Sequence, residues 1–120
     1  KKHGLTNMIE GIIEKGQSVV VIEDLISTGG SSLKAVEALR EAGCYVKGMA
    51  AIFTYGFTTA LENFEKAKCE LITLSNYDTM IAQALQSNYI TEKDLLSLKA
   101  WRENPAEWGV TAVDKKKSKQ

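Results

Sequence analysis

The sequence predicts an α/β fold with a mostly parallel sheet and flanking helices. Two observations lead to this prediction: a continuous β-branched run at residues 19–22, and an alternation of strand and helix patterns that continues to residue 86. A run that is apolar at every position is typical of a strand buried on both faces of a parallel sheet. Alternating strands and helices are connected most simply as crossovers within one sheet. The 120 residues are enough for one domain.

The predicted elements follow one another along the chain as loop (1–7), short helix or turn (8–15), strand (19–22), helix (31–42), strand (45–53), helix (58–68), strand (71–74), helix (77–86) and a helix from Thr91. Each of the four longer helices carries apolar residues at helical spacing: Leu33, Val36 and Leu39; Leu61 and Phe64; Met80, Ile81, Ala84 and Leu85; Leu95, Leu98 and Trp101. Helix ends are also marked. Gly43 is a natural C-cap, Asp94 is placed for a capping box with Thr91, and Pro105 stops the last helix.

Composition limits the classes of function. Fifteen basic residues balance fifteen acidic ones, so no overall charge favours nucleic acid or an anionic membrane. No apolar run approaches the roughly 18 residues of a membrane span. Cys44 and Cys69 have no Cys or His neighbours at metal-binding spacing and are expected to be free, buried thiols in a reducing cytoplasm. The lysine-rich residues 114–120 are expected to form a flexible tail.

A candidate ligand site follows the first predicted strand, in the stretch VVVIEDLISTGGSS. Small residues after the strand let the backbone approach a ligand, and the N-terminus of the next helix favours an anion such as a phosphate monoester. An ordinary strand-to-helix turn with a Ser N-cap is the alternative. Two acids, Glu23 and Asp24, precede this loop and would repel a bare anion, so they require another partner. Sugar hydroxyls, a nearby magnesium ion or plain solvation would each provide one.

These residues resemble the phosphoribosyl-pyrophosphate motif of type I phosphoribosyltransferases: an apolar strand, two acids, two apolar residues and a Thr/Ser/Gly loop, as in VVVIEDLISTGGS. The resemblance implies a Rossmann-like fold in which the acids bind the ribose hydroxyls and the loop binds the 5-phosphate. The expected substrate-binding residues within the motif are Glu23, Asp24, Leu25, Ile26, Ser27, Thr28, Gly29, Gly30 and Ser31.

The opening KKHG, together with GLTNMIEG and AIFTYGF, is similar to bacterial orotate phosphoribosyltransferases. On this resemblance, residues 1–7 are the end of a mobile catalytic loop whose Lys1 and His3 bind the pyrophosphate leaving group. Lys1, His3 and Asp24 are the expected catalytic residues, and Ser27 is expected to contact orotate as well. Some family members carry an orotate-binding arginine where this chain has Tyr55.

The resemblance implies a glycosyltransferase of pyrimidine nucleotide biosynthesis. The enzyme would transfer phosphoribose from phosphoribosyl pyrophosphate to orotate, giving orotidine monophosphate and pyrophosphate. Mg²⁺ is the expected cofactor, carried by substrate oxygens with no residue assigned as a metal ligand, and a cytoplasmic homodimer is expected. The family has a further N-terminal part, so the 120 residues are expected to be one partial domain with an incomplete active site.

Two other functions remain open at this point. The acceptor base is a purine or uracil in related phosphoribosyltransferases that share the motif. A regulatory module that binds phosphoribosyl pyrophosphate without catalysis would also keep the acids and the loop.

Overall fold

The computed structural model describes residues 9–109, in which three strands and four helices alternate. In chain order they are β1 (Ser18–Ile26), α1 (Gly30–Glu41), β2 (Tyr45–Thr54), α2 (Thr58–Lys66), β3 (Leu71–Asn76), α3 (Tyr77–Gln86) and α4 (Glu92–Glu103). The predicted loop at 1–7 and the predicted tail at 114–120 lie outside the described residues. Residues 8–15 are predicted to form a short helix or a turn. In the described part of this segment there is no helix, and the chain turns at Lys15 and Gly16.

The three strands form one parallel sheet in the order β1-β2-β3. Crossovers between neighbouring parallel strands are right-handed, so two successive crossovers in the same direction place both connecting helices on one face. The core lies between this face and the helices α1 and α2. It consists of Ile26, Val36, Met49, Ala51, Ala60, Phe64 and Cys69. The predicted parallel α/β arrangement is therefore confirmed.

The opposite face of the sheet is apolar and exposed in the described part of the chain. It carries Val20, Ile22, Ile52, Ile72 and Leu74, of which Ile22 is 74% and Leu74 is 84% exposed. The expectation that the strand at 19–22 is buried on both faces is wrong for the described residues. The reason is topological, because both crossover helices cover the same side.

Two predicted apolar stripes differ from the observed ones by one position. In α2 the buried residues are Ala60 and Phe64, whereas Leu61 is exposed. In α3 Ile81 is buried and Met80 is 45% exposed. A helical stripe is wide enough for two adjacent positions to compete for the core, and tertiary packing decides between them.

Three predicted signals of helix ends are confirmed: Gly43, the capping box at Thr91 and Pro105. Gly43 adopts a left-handed conformation with φ of 90° just after α1, and α4 ends at Glu103, before Pro105. Thr91 and Asp94 form a full capping box: the Thr91 N–H donates to Asp94 Oδ2 at 2.9 Å, and the Asp94 N–H donates to Thr91 Oγ1 at 3.2 Å. The pKa of the Asp94 carboxyl is lowered, chiefly by the hydrogen bond from the Thr91 backbone and next by the hydrogen bond with the Thr91 side chain.

The chain divides into two compact units, Lys1–Thr79 and Met80–Gln120, and the sheet with α1 and α2 belongs to the first. Cys44 and Cys69 are buried and free, as predicted, and burial raises the pKa of the Cys69 thiol. Among residues 9–109, no helix has both the length and the apolar character that a membrane crossing requires.

Met49→Ala is expected to lower the free energy of unfolding by about 2–5 kcal/mol, because it leaves a cavity at a core position of β2. Met49 is 2% exposed, whereas Met80 is 45% exposed, so Met80→Ala is the matched control with a smaller expected loss. Urea denaturation followed by circular dichroism measures both variants. Equal losses of unfolding free energy in the two variants would contradict a larger contribution of Met49 to stability.

Candidate functional site

The candidate site lies where β1 ends and α1 begins. β1 extends past the predicted end at residue 22 because its backbone continues to pair with β2, with Leu25 opposite Phe53 and Ile26 opposite Thr54. The two acids therefore lie inside the last part of β1, and only residues 27–29 connect the strand to the helix. This is the carboxyl edge of a parallel sheet, where α/β proteins bind their ligands.

The two neighbouring acids have different surroundings. Glu23 is half-buried on the side of α1, and its Oε2 accepts a hydrogen bond of 2.5 Å from Ser32 Oγ. Asp24 is exposed, and its Oδ1 accepts a hydrogen bond of 2.7 Å from the Leu25 N–H. Successive side chains of a strand point to opposite faces, which separates the two carboxylates. Asp24 is thus directed to solvent, while Glu23 is held against the start of the helix.

The N-terminus of α1 has no side chain capping it. Its N-cap is Gly29, so the predicted alternative of a Ser N-cap is not what forms. The Gly30 N–H makes only a long contact of 3.4 Å with Thr28 Oγ1. Backbone N–H groups at an uncapped helix start, next to exposed hydroxyls at Ser27 and Ser31, are suited to bind an anion.

Gly29 is required by both conformation and space. Its φ is +84°, which favours glycine, and a Cβ atom added to it would lie 2.6 Å from Cε2 of Phe64. Phe64 belongs to α2 and is part of the core. The loop therefore rests on an aromatic ring that leaves no room for a side chain at Gly29.

A second contact from α2 supports the same loop. Asn63 Nδ2 donates to the carbonyl oxygen of Thr28 at 3.0 Å. Asn63 and Phe64 are consecutive residues, so one turn of α2 supports the loop by a polar and an apolar contact. A loop held in this way needs less ordering when a ligand binds.

The structure brings together most of the predicted site residues, but not all in the same role. Residues 23–31 form one continuous segment at the sheet edge. Ile26 is 0% exposed, so its side chain belongs to the core and only its backbone faces the edge. Lys1 and His3 lie outside the described residues, and their catalytic role stays a prediction.

Three residues support the site through contacts that the sequence analysis did not predict: Ser32, Asn63 and Phe64. Only Ser32 left a local signal, because it precedes Val36 by four positions and so shares the inward side of α1. A serine on an apolar helix side needs a buried hydrogen-bond partner. The contacts of Asn63 and Phe64 with the loop join distant parts of the chain and leave no such local pattern.

Tyr55 lies in an aromatic cluster just after β2. Its ring stacks on Phe57 with centroids 5.2 Å apart, meets Phe53 edge-on at 5.5 Å and lies 5.9 Å from Tyr77. Neighbours on several sides of the ring indicate a packing role at this position.

No family model matches the chain, but curated relatives do. The chain is 60% identical over 109 residues to a Listeria monocytogenes protein named orotate phosphoribosyltransferase. The match covers 91% of this chain and 52% of that protein. The chain thus spans about half the length of the curated relatives it matches.

Solved structures agree with this similarity. The structure of Leishmania donovani UMP synthase matches with a TM-score of 0.65 and 28% identity, over 77% of this chain and 20% of that one. Mycobacterium tuberculosis orotate phosphoribosyltransferase, in complex with phosphoribosyl pyrophosphate, matches with a TM-score of 0.51 and 34% identity, over 56% of this chain and 41% of that one. The predicted phosphoribosyltransferase fold and the predicted resemblance to orotate phosphoribosyltransferases are both confirmed.

Gly29→Ala is expected to cost about 1–3 kcal/mol of unfolding free energy, because it strains a left-handed residue and displaces Phe64. Gly30→Ala is the matched control, since a Cβ there meets only Thr28 Oγ1 at an ordinary 3.6 Å. Its effect is expected to stay within about 1 kcal/mol. Urea denaturation of both variants tests the difference, and equal effects would contradict the role of the Phe64 ring.

Proposed function

We propose that this chain, a homologue of orotate phosphoribosyltransferases over about half their length, forms the part of such an enzyme that binds phosphoribose. The enzyme transfers phosphoribose from phosphoribosyl pyrophosphate to orotate and releases pyrophosphate. The observation that carries the proposal is the site itself: two acids followed by an uncapped helix start, at the carboxyl edge of a parallel sheet. The 60% identity to a protein of that name supports it.

The loop and the first turn of α1 bind the 5-phosphate in this proposal. The backbone N–H groups of residues 27–31 and the hydroxyls of Ser27, Thr28 and Ser31 are the donors. The positive end of the helix dipole adds to the attraction for the anion. Phe64 and Asn63 hold the loop in place before the ligand arrives.

The acids bind the ribose. Asp24, whose carboxylate is exposed, accepts hydrogen bonds from ribose hydroxyls, and Glu23 contributes the oxygen that Ser32 leaves open. A sugar held at both ends has its anomeric carbon in a defined position, which lowers the entropic part of the barrier. Leu25, which follows Asp24 in β1, is 44% exposed.

Lys1 and His3 act on the leaving group. As the bond from the anomeric carbon to pyrophosphate breaks, the ribose passes through an oxocarbenium-like state, and N1 of orotate forms the new bond. Lys1 and His3 neutralise the charge that develops on pyrophosphate, and closure of their loop excludes water. This role rests on the resemblance of the opening KKHG to the family's mobile loop.

Mg²⁺ fits the site as an ion carried by the substrate. Among residues 9–109 there is no group of three His, Cys, Asp or Glu side chains that could hold a metal ion. Magnesium is commonly bound by one or two carboxylates together with substrate phosphates, and the exposed Asp24 offers one such carboxylate. When bound, the ion offsets the charge of the pyrophosphate.

Orotate is the proposed acceptor because the curated relatives carry that name. Ser27, the first hydroxyl of the loop, is the proposed orotate contact in the described part of the chain. The proposal also includes a cytoplasmic homodimer, with two free cysteines in keeping with a reducing compartment.

A chimera tests the acceptor. In it, this chain replaces the 109 matching residues of the Listeria monocytogenes relative, and orotate conversion is followed by ultraviolet absorbance in the presence of phosphoribosyl pyrophosphate and Mg²⁺. Conversion of orotate, but not of hypoxanthine, adenine or uracil, is expected. A folded chimera that uses a purine or uracil instead contradicts the proposal. One that binds phosphoribosyl pyrophosphate without turnover favours the regulatory alternative.

Asp24→Asn and Lys1→Ala separate binding from catalysis in this chimera. Asp24→Asn is expected to weaken phosphoribosyl-pyrophosphate binding about tenfold, because one acceptor oxygen is lost. Lys1→Ala is expected to lower kcat at least about a hundredfold and to change binding less. Glu37→Gln, which removes an exposed acid of α1, is the control. Calorimetric affinities and steady-state rates measure the variants, and unchanged affinity in Asp24→Asn would contradict the ribose role.

A further inference from the structure

A hydrogen bond ties the last part of β1 to the first turn of α1. Ser32 Oγ donates to Glu23 Oε2 at 2.5 Å, and Ser32 is 3% exposed. The partners are nine positions apart in the sequence, and Asp24, the loop and the helix start lie between them. The hydrogen bond therefore joins the two ends of the segment that would bind phosphoribose.

The hydroxyl of Ser32 restricts a side chain that is otherwise free to move. A glutamate has several rotatable bonds, and an untethered carboxylate at a strand edge samples many orientations. A hydrogen bond donated to a carboxylate is stronger than one between neutral groups, so one orientation is favoured. With Oε2 engaged by Ser32, Oε1 is the oxygen left to meet a ligand.

We propose that Ser32 is a positioning residue for sugar recognition, which acts by holding the Glu23 carboxylate in the orientation that accepts a ribose hydroxyl. The inference rests on the proposed function, because it takes ribose as the partner of Glu23. It adds a residue outside the motif VVVIEDLISTGGS, which ends at Ser31.

Packing alone does not require a hydroxyl at this position. Ser32 lies on the inward side of α1, and alanine there has a higher helix propensity and no polar group to satisfy. The partner of the hydroxyl is a carboxylate at the ligand edge. The group most affected by its removal is therefore Glu23.

The contacts that hold the loop are separate from this one. Asn63 holds the Thr28 carbonyl, and Phe64 lies against Gly29. These contacts act on the part of the segment that would bind phosphate, whereas Ser32 acts on an acid that would bind the sugar. Two ligands that differ only by the sugar distinguish the two roles.

The experiment uses the 120-residue chain and titrates it with ribose 5-phosphate and, separately, with inorganic phosphate, following backbone amides by NMR. Ser32→Ala is expected to weaken ribose 5-phosphate binding about tenfold and to leave phosphate affinity within about twofold. Asn63→Ala is expected to weaken both ligands by a similar factor. Ser18→Ala, which removes an exposed hydroxyl at the other end of β1, is the control and is expected to change neither.

Equal losses for both ligands in Ser32→Ala would indicate a merely structural role and overturn the inference, as would no loss for either. A double-mutant cycle adds a second check. In the Glu23→Ala background, Ser32→Ala is expected to cause no further loss, and independent, additive losses would overturn the inference.

If the parent chain binds ribose 5-phosphate no more tightly than phosphate, the proposed ribose role of the acids fails. The positioning of Glu23 by Ser32 can still be tested without a ligand, by measuring the side-chain couplings of Glu23. A single rotamer in the parent that becomes averaged in Ser32→Ala supports it, and averaging in both proteins overturns it.

Discussion

The burial of Ile26 anchors the C-terminal end of β1 in the core, and the candidate site is built on that end of the strand. Its side chain is fully buried in the core with Val36, Met49 and Phe64. Its carbonyl oxygen accepts a hydrogen bond of 3.2 Å from the Tyr55 N–H, so the backbone is fixed as well. The acids that precede it and the loop that follows it are therefore mounted on a rigid element, as precise ligand binding requires.

Alternation along β1 separates Glu23 from Asp24, but Ile26 departs from this alternation. Strict alternation would place residues 24 and 26 on the same face of the sheet. In β1, however, Glu23 and Ile26 both lie on the helix side, and Asp24 and Leu25 between them are exposed. This local irregularity places Ile26 in the core on the same side as Glu23, while regular alternation leaves Asp24 exposed.

The helix α2 supports the site although it contributes no residue to the motif. Asn63 and Phe64 contact the loop, and at its far end α2 is joined to α1 by Arg40, which donates to the carbonyl oxygens of Ala67 at 2.6 Å and Lys68 at 3.1 Å. A cation that binds the last carbonyls of a helix is a favourable C-terminal contact. The loop between β1 and α1 is thus held by a helix that follows it in the chain by about thirty residues.

The sequence alone determined the order of strands and helices, the helix-end signals at Gly43, Thr91 and Pro105, and the residue types of the segment from Glu23 to Ser31. These features depend on the periodicity of neighbouring residues and on the residue types that caps and loops require. The tertiary structure decided which face of the sheet is covered, that Ala60 rather than Leu61 is buried, and that Ser32, Asn63 and Phe64 support the site. Each of these depends on residues that are distant along the chain, because only packing chooses between positions that local patterns treat as equivalent.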